Sequence, residues 1–105
     1  MLRIYPVSLA MVRDVRAYAE RIARFDRDLA RQLCRSSTSV ALNIAEGSGL
    51  RAGCRRQSYE YVLGEARETL ANLEVAEAIG YVVGVEPRVR QRFDHIIGTL
   101  VKLVR

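Results

Sequence analysis

The chain has 105 residues, half of them apolar, with 17 Lys and Arg against 12 Asp and Glu and a formal charge of +5. That length suits one domain, residues 1–105, with enough apolar material for a core that needs neither disulfide nor metal. Charged residues interrupt every apolar stretch well short of the roughly 20 residues that cross a bilayer. The sparse Pro and Gly exclude collagen-like and low-complexity chains. Arg3, Pro6 and Arg13 break up the first residues, which do not read as a secretory signal. The expected compartment is therefore cytoplasmic, with no membrane partner.

Apolar periodicity predicts helices almost throughout. From about Ser8 to Arg24, Leu9, Val12, Val15, Ala19 and Ile22 recur at steps of three and four and share one face. Ser8 occupies the expected N-cap position. A connection over Phe25–Asp28 follows, with Asp26 or Asp28 capping the next helix.

The second helix is expected from Asp28 to Glu46. Leu29, Leu33, Val40 and Ile44 form its large apolar stripe. Ala30, Cys34, Ser37, Ala41 and Ala45 form a stripe of small side chains beside it. The run Ser36–Ser39 disfavours an isolated helix, because short hydroxyls compete for backbone hydrogen bonds, so tertiary packing must hold it. Gly47 suits a left-handed stop after the helix. A loop is read from Gly47 to Arg56.

The third helix is expected over Arg56–Ile79, with Tyr59, Leu63, Ala66, Leu70, Leu73 and Glu77 in phase, and Gly80 as its stop. Tyr81–Gly84 reads as a compact apolar turn. Glu86-Pro87 opens a fourth helix, since Pro is tolerated at the first helical position. In that helix Val89, Phe93, Ile96, Leu100 and Leu103 are spaced as a bundle seam. Short connections make neighbours antiparallel, and the predicted fold is an all-α, up-down-up-down four-helix bundle.

Charge is uneven along the chain. Residues 48–58 carry Arg51, Arg55 and Arg56 and no acid, whereas residues 59–81 carry five Glu and one Arg. The acidic third helix is thus expected to face basic neighbours, inside the bundle or in another subunit.

Enzyme templates fail on residue types. The single His, His95, lacks the Glu three positions before it that a di-iron bundle requires. Cys34 and Cys54 with one distant His do not match a structural zinc site. A triad of Ser58, His95 and Asp94 has no spacing to support it. The Gly47, Gly49, Gly53 run follows a helix and lacks the Lys-Ser/Thr ending of a phosphate loop. Glu74 and Glu77 read as a salt-bridge face. No cofactor is expected, and the protein is read as a non-enzyme. Cys54 lies beside Arg55 and Arg56, which would favour its thiolate. Cys34, on the small-residue stripe, is expected to be buried and inert.

What remains is basic surface. Arg13, Arg16 and Arg24 along the first helix, and Arg51, Arg55 and Arg56 on the loop, are the candidate contacts to the phosphates of RNA or DNA. Aromatic interleaving for base stacking is missing. The alternative is a structural or protein-interaction bundle whose basic surface is merely solvated.

The segment Gln32-Leu33-Cys34-Arg35-Ser36-Ser37-Thr38-Ser39-Val40-Ala41-Leu42-Asn43-Ile44-Ala45-Glu46-Gly47 resembles the hallmark of the ribosomal RNA intervening-sequence protein family, bacterial four-helix bundles. Leu70-Ala71-Asn72-Leu73-Glu74 and Ala78-Ile79-Gly80-Tyr81 are similar to later parts of the family pattern, so the likeness covers residues 9–104. Ala41 stands where the family has Pro, Cys34 where Arg is common and Val62 where Phe is common. The stretch Leu50–Ser58 looks like a lengthened loop. The resemblance implies a homopentameric ring. Through a related branch, the accessory proteins of diversity-generating retroelements, it also implies a reverse transcriptase as partner. Arg35, Ser39, Asn43, Glu46 and Gly47 carry the motif and are read as structural, with Asn43 and Glu46 organising the end of the second helix and a Glu such as Glu46 able to pair with an Arg across an interface.

Overall fold

A computed structural model describes residues 2–105. It contains four helices, α1 (Ile4–Ile22), α2 (Arg27–Gly47), α3 (Ala52–Ile79) and α4 (Pro87–Leu103), and no strand among the described residues. Cross-helix contacts fix the direction of packing. Gly47 lies against Tyr59, Ser36 bonds to Thr69, and Arg35 reaches Glu68, so α2 and α3 run antiparallel. Asp14 pairs with Arg92, and Tyr18 accepts a bond from the Glu86 N–H, so α4 runs back along α1. Each helix packs on its two neighbours, closing the ring α1–α2–α3–α4. The up-down-up-down bundle expected from the spacing is the fold.

The core is a column of side chains with no exposure to speak of. Met11, Val15 and Ile22 come from α1, and Leu33, Val40 and Ile44 from α2. Tyr59, Val62, Ala66 and Leu73 from α3 meet Val89, Phe93, Ile96 and Leu100 from α4. The Ser36–Ser39 run stays helical because its hydroxyls are used. Ser36 and Ser37 donate to the carbonyls of Leu33 and Cys34 one turn back, and Thr69 of α3 donates to Ser36 Oγ at 2.8 Å.

Several boundaries differ from expectation. α1 starts at Ile4, a turn before Ser8, because Pro6 falls in the first turn, where its missing N–H has no helical partner to lose. Ser8 is therefore no N-cap. It is buried, and its hydroxyl donates to Tyr5 O at 2.6 Å. Leu9 lies off the core face, which runs through Ile4, Ser8, Met11 and Val15 instead. Asp26 does cap α2, accepting the Leu29 N–H at 3.0 Å. Cys34 is exposed rather than buried, and Leu103 is partly exposed at the end of its seam.

The largest correction is the supposed loop. α3 begins at Ala52, so Cys54, Arg55 and Arg56 are helical and the connection is only residues 48–51. Residues 49–57 are all exposed. The first turn of α3 projects beyond the core, and apolar periodicity cannot report a turn with nothing to pack on.

Candidate nucleic-acid interface

The family motif organises the α2–α3 seam. Arg35 bridges Glu68 at 2.7 Å and Glu65 at 3.5 Å. Glu65, although on the inner seam and almost wholly buried, also accepts the Tyr61 hydroxyl at 2.6 Å and lies 3.5 Å from Ser39 Oγ. Asn43 donates to Ser39 O at 2.8 Å, one turn back on its own helix, so it braces the middle of α2 and does not organise its end. Glu46 is exposed and makes no ion pair among the described residues.

Gly47 closes the motif, but not in the left-handed conformation expected of a stop. It is the last helical residue of α2, and the only positive φ among the described residues is at Gly80, 94°. A Cβ on Gly47 would sit 2.7 Å from Tyr59 Cε1. Glycine is required there for close approach.

The acidic charge of α3 is compensated inside the chain. Glu60 meets Arg56 at 3.8 Å, Arg35 holds Glu65 and Glu68, and Arg90 holds Glu74 and Glu77. Glu77 further accepts the Val85 N–H at 2.9 Å and so pins the α3–α4 turn. Outside α3, Arg16, Arg31, Arg88 and Arg92 also pair with acids, and the fold sorts the remaining cations by place.

One end of the bundle gathers the start of α1, the α2–α3 connection and the close of α4. Arg3, Arg51, Arg55, Lys102 and Arg105 sit there, and none forms an ion pair among the described residues. Arg56 joins them but is engaged, donating to Val104 O at 3.0 Å and so tying α3 to the end of α4. Arg13 lies exposed on α1. Arg16 is paired with Glu20 at 3.4 Å, an exposed pair of little energetic weight. Arg24 is at the opposite end, just beyond α1. The structure therefore brings together Arg51, Arg55 and Arg56 and leaves Arg13, Arg16 and Arg24 apart from them.

Within the basic end, Leu2, Ser48, Arg55, Tyr59 and Leu103 line a cavity of about 320 Å³. Tyr59 is 2% exposed, and its buried hydroxyl has no hydrogen-bond partner among the described residues. Burial raises the Tyr59 phenol above its ordinary value of 10.0, while the charge of Arg55 acts to lower it. Sequence periodicity placed Tyr59 on the apolar face and gave no sign of this cavity. Arg3, Lys102 and Arg105 were missed because their meeting depends on both chain termini returning to the α2–α3 connection.

The other constellations stay dispersed. Ser58 lies beside Gly47 on the α2 side of α3, whereas His95 lines an α1–α4 groove with Pro6, Val7 and Ala10. Cys54 stands in the first turn of α3, exposed. Among the described residues no helix is long and apolar enough to cross a membrane.

Comparison with known proteins agrees with this architecture. A crystal structure of a protein of unknown function from the S23 ribosomal protein family of Bacteroides thetaiotaomicron VPI-5482 superposes with a TM-score of 0.81. It is 18% identical, and the match covers 97% of this chain and 98% of that one. No curated protein matches. The profile of the 23S rRNA-intervening sequence protein family matches residues 1–101, which include the motif, the first three helices and most of α4. The chain belongs to the 23S rRNA-intervening sequence protein family.

Proposed function

We propose that the protein is a non-enzymatic helical scaffold that works as a homo-oligomer and binds nucleic acid through backbone phosphates at its basic end. The observation that carries this reading is the gathering of Arg3, Arg51, Arg55, Lys102 and Arg105 at that end, uncompensated, while the acids of α3 are paired within the chain. Arginine and lysine so placed contact phosphates without reading bases, and binding of this kind releases counterions. Self-assembly is supported by the outer face of α3. There Tyr61, Gly64, Glu68, Ala71, Val75 and Ala78 alternate at steps of three and four and are all exposed. On that face Gly64, Ala71 and Ala78, one every seven residues, are small enough to admit another helix closely. A pentamer, the assembly implied by the family resemblance, would repeat the basic end around a ring and add weak contacts by simultaneous engagement. A reverse transcriptase is the enzyme partner the same resemblance implies.

The test is fluorescence anisotropy with structured RNA and duplex DNA, paired with light scattering. The expected result is an oligomer whose affinity has little sequence preference and falls with salt, with a slope of about 0.9 per duplex phosphate contacted. A monomer mass overturns the assembly. Absence of binding at low salt by the intact oligomer overturns the nucleic-acid role. That outcome favours a second reading, a protein-interaction bundle, which rests on exposed Phe25, Ile79 and Val83 at the opposite end.

A further inference from the structure

The cavity at the basic end combines features that a packed bundle end does not need. Tyr59 is buried to 2% exposure, yet its hydroxyl finds no acceptor among the described residues. A buried donor left unmade is costly, so such a group is retained where something outside the chain completes it. Gly47 keeps the Tyr59 ring where it is, because any Cβ at position 47 would collide with Cε1. The motif glycine is thus a positioning residue for Tyr59.

The surroundings select the sign of the missing partner. Arg55 lines the same cavity, and Ser48 has already directed its hydroxyl proton to Ala45 O at 2.9 Å. α3 starts beside the cavity with no side chain capping it and no acid in its first turn, so its leading N–H groups and dipole also face outward. Arg51 occupies its N-cap position. Among the residues that line the cavity, the groups left free to bond outward are two donors, the Tyr59 hydroxyl and the Arg55 guanidinium. An oxyanion fits these two donors, and a cation does not.

We propose that this cavity is a phosphate-binding site in which the Tyr59 hydroxyl and the Arg55 guanidinium donate to phosphate oxygens at the start of α3. The phosphate comes either from a nucleic-acid chain, which rests on the function proposed above, or from free inorganic phosphate, which does not. Arg55 supplies a charge-assisted bond of the bidentate kind. Tyr59 supplies a short, directional one from a neutral phenol. Arg55 and Tyr59 stand one turn apart on α3 and line a recess at the bundle end, so the site favours a terminal or exposed phosphate over one inside a rigid duplex.

The experiment is an NMR titration of amide shifts in the whole protein with inorganic phosphate, against chloride at equal ionic strength. A second arm measures binding of a short oligonucleotide with and without a 5′-phosphate. Saturable shifts over Ala52–Arg55 and Tyr59 are expected with phosphate alone. Tyr59→Phe and Arg55→Gln should each weaken binding about tenfold, whereas Arg67→Gln, an exposed cation elsewhere on α3, should change nothing. Helical circular dichroism checks each variant. Arg55 is exposed, so Arg55→Gln carries the test if Tyr59→Phe fails to fold. Preference for the 5′-phosphorylated oligonucleotide identifies nucleic acid as the source. Saturation by phosphate with no oligonucleotide binding keeps the site and removes the nucleic-acid reading. Oligonucleotide binding that Tyr59→Phe and Arg55→Gln leave unchanged, or shifts that chloride reproduces, overturns the site.

Discussion

The two ends of the bundle are each closed by a glycine, and the reasons differ. At the end holding the α3–α4 turn, Gly80 adopts φ 94° and stops α3, with nothing within 4 Å of where its Cβ would lie. The turn beyond it is fully tied. Phe25 stacks on Tyr81 with ring centroids 5.2 Å apart, Glu77 takes the Val85 N–H, and Tyr18 takes the Glu86 N–H. At the other end Gly47 has helical backbone and serves by having no side chain against Tyr59. There α3 is uncapped, a buried hydroxyl is unpaired and the cations are uncompensated. The turn at one end is held by its own hydrogen bonds and ring stacking, whereas the other end keeps an uncapped helix start and a buried hydroxyl without a partner among the described residues. Glu65 Oε2 and Asn72 Nδ2 are also buried without a partner farther along α3, so what sets this end apart is a buried unpaired hydroxyl beside a cation and an uncapped helix start.

The contrast breaks most visibly in binding. Replacing Arg51, Arg55 and Arg56 together by Gln should lower the salt slope of nucleic-acid binding by roughly 3 on duplex DNA. The matching triple Gln variant of Arg21, Arg24 and Arg27 at the opposite end should leave it intact. Equal losses in the two variants would mean that binding follows total charge and not place. Anisotropy across a salt series decides between them.

Gly47→Ala should cost about 1–3 kcal/mol by overpacking against Tyr59, since the buried ring has nowhere to move. In a Tyr59→Leu background the cost should largely vanish, and a double-mutant cycle by chemical denaturation measures that coupling. Gly80→Ala should cost a little less, about 1–2 kcal/mol, from the left-handed backbone itself. No neighbouring truncation should relieve it, because no neighbour causes it. Gly80→Asn should recover part of the loss.

The smallest effect is the pH response of Tyr59. Burial raises its folded pKa above 10.0, so the unfolded chain releases the phenol proton first. The native state then binds more protons than the unfolded state, and stability falls as pH rises past 10.0, with no contribution below it. Thermal melts of the wild type and Tyr59→Phe should run parallel at neutral pH and diverge in alkali, the wild type losing more.

Most of the fold was legible because helix periodicity reports burial directly. Val15, Leu33, Leu73 and Phe93 announced the faces they occupy, and Asp26, Gly80 and Pro87 marked boundaries through local chemistry. The reading failed where local rules had two solutions. Pro6 is tolerated inside a first turn as well as before it, so α1 began earlier than the Ser8 signal suggested. Gly47 looked like Gly80 in sequence, and only the facing helix distinguishes a steric glycine from a conformational one.

The candidate site was legible only as scattered arginines. Local sequence determined the four helices, the core stripes and the excess of cations, because each depends on residues within a few turns of one another. Tertiary structure decided which cations meet, which are silenced by Glu60, Glu65, Glu68, Glu74 and Glu77, and that Tyr59 is buried without a partner beside Arg55. Those are properties of residues far apart in the chain, and an antiparallel bundle brings its termini and its middle connection to the same end. Charge and hydrogen bonding act through space at a few ångströms, so their balance is set only once the helices have packed.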